Sequence, residues 1–372
     1  MDLWSYNSAR MTTTRKKIGV IFGGRSGEHE VSLVSATSVI KEMPKDKFDI
    51  KEIGISKNGN WYVGENLIEE FKKATSERDL ESKKVSAEDA VSGCDVVFPV
   101  LHGSFGEDGT IQGLFEMLKV PYVGCGVLAS SACMDKIICK SILHDAGINV
   151  VPFVHFTRSS WFKNNQSILD KIRDEIGFPC FVKPSNMGSS VGISKATAET
   201  ITSAINLAAE FDSRILIEKA VDAREIECAV LGNENPSAAP LGEIIVGGEF
   251  YDYYDKYVDG KSRSVVPIPD LDESKQKEIS DICIRAFKAM DCSGLSRVDC
   301  FVDRNTGEVF LNEINTLPGF TSISMYPKMW LAAGLSFSNL IEKLIDLAVE
   351  RFEEKRKNKI SFDSGSNWFQ TP

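Results

Sequence analysis

GLSRVDCFVDRNTGEVFLNEINTLPGFTSISM, residues 294–325, reads as two strands joined by a tight turn. With a period of two, Arg297 and Asp299 share one face of the first strand, and Glu313 and Asn315 share one face of the second. Taking Asn305-Thr306-Gly307 as a three-residue turn, with Gly307 in the left-handed position, sets Asp299 opposite Glu313 and Arg297 opposite Asn315. Two acids, an amide and a guanidinium then converge. Oxygen ligands of this kind suit Mg²⁺, which keeps waters and bridges to phosphates, and a neighbouring Arg can stabilise an oxyanion or a transferring phosphoryl group. A solvated hairpin laced with charge pairs would alternate in the same way. The apolar residues Val298, Cys300, Val302 and Phe310, with Leu317-Pro318-Gly319-Phe320 beyond, favour a hairpin seated in a core.

The chain has 372 residues, 42% of them hydrophobic and 26% charged, which is the balance of a soluble globular protein of about two or three domains. A net charge of −10 argues against nonspecific binding to nucleic acid or to anionic membranes. No apolar run approaches the length of about 18 residues that a membrane helix needs, and residues 1–16 are polar with no apolar signal core, so a cytoplasmic protein is expected. The nine cysteines are scattered, with no CxxC pair and no zinc spacing; they read as small buried residues in a reducing compartment.

Upstream of the hairpin the pattern is α/β. Residues 17–22 form a short apolar strand that runs into the glycine turn GGRSGEHEVS (23–32) and then a helix. A second such unit runs from Cys94 through HGSFGEDG (102–109) to a helix at Thr110–Leu118. The alternation continues to about Cys133 and predicts a doubly wound parallel sheet, with both glycine loops at the carboxyl ends of strands where ligands bind. From Asp135 the expected order is helix (135–146), strand (150–156), helix (160–176), strand (180–184), glycine loop, strand (190–194), helix (199–210) and strand (214–219). The loop KPSNMGSSVGISK (183–195) can lay backbone N–H groups and hydroxyls on phosphate oxygens. Two strands over 224–246, a long loop over 248–262 and an amphipathic helix over 272–291 precede the hairpin. The long loop carries Tyr251, Tyr253, Tyr254 and Tyr257 and reads as a functional lid. A surface helix is expected at 336–355, and residues 1–16 and 357–372 read as disordered.

These features together resemble the D-alanine–D-alanine ligases of the ATP-grasp superfamily. The match covers residues 17 to about 350 through GGRSGEHEVS, HGSFGEDGTIQG, MDK (134–136), KPSNMGSSVGISK, ILIEKAVDAREIECAV (215–230), YDYYDKY (251–257), SRVDCF (296–301) and NEINTLPGFTSISMYP (312–327). The resemblance implies an ATP-grasp fold: an N-terminal doubly wound α/β domain (17–134), a central small α+β domain (135–222) and a C-terminal α+β domain (223–356) carrying the lid loop 248–262. It also implies ATP, two Mg²⁺ ions with Mn²⁺ as a substitute, D-alanine as substrate, a homodimer, and a place in peptidoglycan precursor synthesis.

By the same resemblance, Glu28 accepts the ammonium of the first D-alanine and His102 lies beside that substrate. Lys136 and Lys183 meet the nucleotide phosphates. Glu218, Lys219 and Val221 form the adenine edge and Glu225 the ribose contact. Ser189 hydrogen-bonds to the lid residue Tyr257, and Lys256 covers the second substrate, whose carboxylate is held by Ser324 and the Met325 backbone. Arg297 and the Gly319 amide stabilise the oxyanion, and Asp299, Glu313 and Asn315 hold the metal ions. A ligase of the same fold that makes D-alanyl-D-serine is the nearest rival, because one hydroxyl changes a pocket only slightly. Lactate-type members differ at the lid, where this chain has Lys256-Tyr257. A nucleotide-binding protein without turnover would have no use for an oxyanion donor at Arg297. A dinucleotide dehydrogenase is excluded because GGRSGE is not GxGxxG.

Overall fold

The computed structural model describes residues 15–245, 263–359 and 361. The expected lid, with Lys256 and Tyr257, lies outside the described residues, as do nearly all residues of the two terminal segments.

The N-terminal part is a layered α/β unit. Its elements are β1 (Lys16–Gly23), α1 (His29–Glu42), β2 (Phe48–Ile55), β3 (Trp61–Val63), α2 (Leu67–Lys73), β4 (Lys84–Val85), α3 (Ala87–Val91), β5 (Val96–Pro99), α4 (Thr110–Leu118) and α5 (Val127–Met134). The sheet order is β4-β3-β2-β1-β5. Strands β1, β2 and β5 are parallel, as expected, whereas β3 and β4 extend the sheet antiparallel. The sheet is therefore mixed rather than wholly parallel: β2 reaches β3 by a tight turn at Gly59 (φ +87°), and so short a connection permits only antiparallel pairing. In β1, Ile18, Val20, Ile21 and Phe22 are all fully buried, because helices cover both faces. Leu33, Ala36 and Val39 of α1 pack on one face, and Ile111 and Phe115 of α4 on the other.

Next come α6 (Lys136–Asp145), β6 (Phe153–Thr157), α7 (Arg158–Lys163), α8 (Asn165–Glu175), β7 (Cys180–Pro184), β8 (Ser194–Ala196), α9 (Ile201–Phe211) and β9 (Arg214–Lys219). The strands form an antiparallel sheet in the order β6-β9-β7-β8 over its own core. The helix expected at 160–176 is two helices, broken at Asn164, whose φ of −150° is not helical. The strand expected at 190–194 begins only at Ser194, because Ser189, Ser190 and Gly192 adopt φ of +50°, +60° and +73° and keep the preceding residues in the loop.

The C-terminal part comprises β10 (Ala223–Gly232), β11 (Ser237–Ala238), β12 (Gly242–Ile245), β13 (Arg263–Val265), α10 (Glu273–Ala289), β14 (Gly294–Asp303), β15 (Val309–Asn315), α11 (Met325–Ala332) and α12 (Phe337–Arg356). Its sheet runs β13-β12-β10-β14-β15, with β11 paired to β10. One face, with Ile226, Cys228, Val298, Cys300 and Leu311, packs on α10. Eight cysteines are buried and Cys94 is half-buried; burial pushes the thiols of Cys125 and Cys283 well above their usual range. The expected surface helix α12 is half interior: Leu340, Ile341, Leu344, Ile345 and Ala348 repeat at helical spacing and join α1 and β1 in one core.

The β14–β15 register matches the expectation, Arg297 opposite Asn315 and Asp299 opposite Glu313, but by a different route. Near the turn the pairs are Val302–Val309, Phe301–Phe310 and Cys300–Leu311, one residue out of phase, and a β-bulge at Asn312 restores the phase. The turn is one residue longer than expected, because Asp303 N–H bonds to the Glu308 carbonyl and Oδ1 of Asp303 accepts from the N–H groups of both Asn305 and Thr306. Without the bulge, Leu311 would still point into the core and so would Glu313.

Candidate active site

Two clusters of side chains meet where the three sheets approach one another. In the first, the β1–α1 turn supplies Glu28 and the β5–α4 loop supplies His102 and Glu107. Ser26 Oγ donates to the His102 carbonyl at 2.6 Å and joins the two loops. The glycine loop arrives from the central sheet, and Ser189 Oγ donates to Oε1 of Glu28. A Cβ on Gly188 would stand 3.3 Å from that oxygen, a tight contact that would make the carboxylate shift. Ser189 itself is held left-handed, a strained setting for a non-glycine residue that aims its hydroxyl at the carboxylate. Within the described residues, then, the partner of Ser189 is Glu28; the expected contact with Tyr257 involves a residue outside them.

His102 is buried, with Nδ1 3.2 Å from the Leu317 carbonyl and Nε2 3.0 Å from Ser35 Oγ. Burial lowers its pKa against the opposing pull of Glu28, so the ring stays neutral. Glu107 was not anticipated. Its Oε1 accepts from the Gly103 N–H at 2.9 Å and lies 3.9 Å from His102 Nδ1. Burial first, and the negative charge of Glu28 second, push its carboxyl up to about 8. Only its place within HGSFGEDG hinted at it.

A neutral Glu107 has a stability consequence. As pH rises from its ordinary value of 4.5 towards 8, the unfolded chain ionises this group while the folded chain does not, so its contribution is lost over that window. The variant Glu107→Gln keeps the shape of the protonated acid at every pH. Its urea midpoint is expected to fall less than that of the parent between about pH 6 and about pH 9. Equal falls in the two proteins would show that Glu107 ionises normally.

The second cluster is a wall of charge on the other face of the C-terminal sheet. Pairing of β10 with β14 sets Glu227 beside Asp299, which itself faces Glu313, so three carboxylates form a row across three strands. Like charges placed opposite one another are unfavourable. Arg297 relieves part of this: its Nε and Nη2 donate to Asp299 at 2.7 Å each, and Nε lies 3.3 Å from Glu227. Burial opposes its charge, but Asp299 and Glu227 outweigh burial and hold the guanidinium ionised. Asn315 Nδ2 donates to Asp299 at 2.9 Å, which leaves Oδ1 as its possible ligand atom. The donor set of Asp299, Glu313 and Asn315 therefore fits a hard divalent cation. Glu227 went unnoticed in the sequence, although it is two residues after Glu225 and so on the same face.

Lysines complete the wall. Lys136, at the start of α6, donates to the Met187 carbonyl at 2.7 Å and lies 3.8 Å from Glu313. Burial lowers its pKa, partly offset by Glu313. Asp135 caps the same helix at the N–H groups of Ile137 and Ile138, receives Ser185 Oγ at 2.8 Å and pairs with Arg214. This fixes Lys136 against the glycine loop. Lys183 opens that loop and pairs with Glu218 Oε2 at 2.5 Å; its pKa is lowered by burial but raised more by Glu218, with Glu225 contributing.

Lys219, next along β9, is exposed, and its charge reaches Asp303. Val221 is half-buried in the connector to β10. On the far side, a Cβ on Gly319 would stand 3.1 Å from Ser324 Oγ. Ser324 precedes α11, whose first residue is Met325. The backbone N–H groups there favour an anion. A separate shallow cavity, lined by Asn149, Lys275 and Thr306, lies at the turn end of the β14–β15 hairpin, away from these groups.

Comparisons with known proteins point to one family. Residues 17–125 match the family model for the D-ala D-ala ligase N-terminus, and residues 142–346 the model for the D-ala D-ala ligase C-terminus. The D-alanine–D-alanine ligase of Acetivibrio thermocellus is 48% identical over 371 residues, spanning 92% of this chain and 98% of that protein. That of Thermoanaerobacter sp. is 49% identical over 360 residues, spanning 92% and 98%. Among solved structures, the D-alanine-D-alanine ligase from Coxiella burnetii aligns with a TM-score of 0.79 at 37% identity, covering 92% of this chain and 96% of that one. The VanG D-Ala:D-Ser ligase from Enterococcus faecalis also aligns with a TM-score of 0.79, at 39% identity, covering 90% and 100%.

Proposed function

The chain belongs to the D-alanine–D-alanine ligase family, and we propose on that premise that it is the ATP-consuming enzyme that joins two D-alanines into D-alanyl-D-alanine. A carboxylate is a poor acylating agent. One D-alanine carboxylate therefore attacks the γ-phosphorus of ATP, ADP leaves, and an acyl phosphate results. The amine of the second D-alanine attacks the acyl carbon, the tetrahedral intermediate expels phosphate, and the amine gives up a proton. The observation that carries this reading is the row Glu227–Asp299–Glu313 with Arg297 set among it, beside the buried Lys140 and Lys183 and the half-buried Lys136.

The residues divide the work by charge. Glu28 receives the ammonium of the first D-alanine, with neutral His102 and Glu107 beside it, so the substrate meets a single negative charge. Lys136 and Lys183 meet the nucleotide phosphates, with Glu218, Lys219, Val221 and Glu225 as the adenine and ribose edge. Arg297 and the Gly319 amide stabilise the tetrahedral oxyanion. Ser324 and the Met325 backbone take the second carboxylate, with Lys256 near it, and Tyr257 acts with Ser189. Two Mg²⁺ ions, for which Mn²⁺ can substitute, would be held by Asp299, Glu313 and Asn315. Bound there, Mg²⁺ supplies neutralisation of the charge developing on the transferred phosphoryl group.

Supply of peptidoglycan precursor in the cytoplasm as a homodimer completes the reading. Among the described residues no helix is long and apolar enough to cross a membrane. The likeness to the D-Ala:D-Ser ligase sustains a second reading, in which D-serine is the second substrate.

With ATP, Mg²⁺ and D-alanine the protein is expected to release phosphate and form a product with the mass of the D-alanyl dipeptide. L-alanine as sole amino acid should release little phosphate. Competition between D-alanine and D-serine, read by product mass, separates the two readings. Equal phosphate release with L-alanine, or a dipeptide formed without nucleotide, would overturn both.

A further inference from the structure

Lys140 is only 1% exposed, one turn after Lys136 on the same face of α6. Its Nζ lies 2.7 Å from Oε1 of Glu218, while Lys183 holds Oε2 of the same carboxylate. One buried anion thus has two cations directly against it, while Glu313 and Glu225 act on Lys183 from farther off. Removing an ammonium from water costs several kcal/mol, and an apolar side chain would fill the same volume more cheaply. A carboxylate that merely anchored Lys183 would need no second lysine.

We propose that Lys140 is a positioning residue of the nucleotide site, the permanent counter-ion of Glu218 that frees Lys183 to leave that carboxylate for the phosphates. In this structure Lys183 pairs with Glu218. Phosphate oxygens draw it away, and Glu218 then keeps one cation. With Lys140 absent, the same move strips a buried carboxylate of its last partner, so nucleotide binding bears the penalty. The inference rests on the reading of this site as a nucleotide site.

The test is calorimetric binding of ADP with Mg²⁺ to the parent, Lys140→Met, Glu218→Gln and the double variant, with urea unfolding of each protein. Lys140→Met is expected to weaken ADP by at least about 10-fold, while the KM for D-alanine stays within about twofold. In the Glu218→Gln background the same substitution should change ADP affinity by less than about twofold, since no carboxylate is left to be stranded when Lys183 moves. An equal loss in both backgrounds, or ADP affinity unchanged in a destabilised Lys140→Met, overturns the proposal. Should Lys140→Met not fold, lysine side-chain NMR of the parent decides: added ADP and Mg²⁺ should shift the Lys183 signal and leave that of Lys140 in place, and movement of both refutes it. A parent that binds no ADP refutes the nucleotide reading instead.

Discussion

Turnover of an Arg297→Ala variant is expected to fall by about 10²-fold or more, equivalent to about 3 kcal/mol of barrier, the usual loss of one oxyanion donor. Arg297 sits in the middle of Glu227, Asp299 and Asn315 and is the nearest cation to that row. Its two bonds to Asp299 give it a second task, that of aiming the carboxylate proposed above as a metal ligand. Raising Mg²⁺ separates the two tasks. If the variant lost activity only because Asp299 moved, excess Mg²⁺ would restore turnover; if the oxyanion donor is gone, turnover stays low at saturating metal. Lys at this position should rescue poorly, because a point charge cannot reproduce a planar fork. ADP affinity should change little. Near-normal turnover in a variant that unfolds easily would leave Arg297 as a structural clamp alone.

The largest expected loss of stability belongs to Glu218→Ala, about 3–5 kcal/mol, because the change leaves Lys140 and Lys183 buried without their anion. The effect has a pH signature. Burial opposes ionisation of Glu218, but the two lysines outweigh it and hold the carboxyl at about 2 against an ordinary 4.5. A depressed carboxyl stabilises the fold above its unfolded value, and that contribution, about 3 kcal/mol, is lost as pH falls from 4.5 towards 2. Urea unfolding at about pH 7 and about pH 3 should show the parent losing much of its advantage over the variant in acid. A gap that does not change between the two conditions would mean that the lysines, rather than Glu218, set the charge balance.

Local pattern was enough for much of this molecule. The two glycine turns, the Lys-led loop and the facing pairs of the β14–β15 hairpin are properties of neighbouring residues: period-two alternation chooses a face, and a glycine chooses a turn. Family membership was legible for the same reason, since each motif is a short contiguous string. Even so, the hairpin pairs came right through two compensating features, a turn one residue longer than the spacing suggests and a bulge at Asn312. Backbone hydrogen bonds at Asp303 decide the first, and the need to keep Glu313 out of the core decides the second.

Lys140, Glu227 and Glu107 had weak local signals: a step of four after Lys136, a step of two after Glu225 and a place within a glycine loop. Charged residues at such spacings are commonplace on solvated surfaces. Their distinction is burial beside groups far away in the chain, Lys140 on Glu218, Glu227 on Asp299 and Glu107 between Glu28 and His102. The interior face of α12 has the same origin, because the core it fills is lined by α1 and β1, some 300 residues earlier. By itself, then, the sequence determined most of the elements, the facing pairs of the hairpin and the family, all of which depend on neighbours along the chain. Only the tertiary structure decided which charges lose their water, and so which carboxyl stays protonated, which is held ionised and which lysine is kept as a counter-ion, because desolvation depends on what is packed around a group rather than on what precedes it.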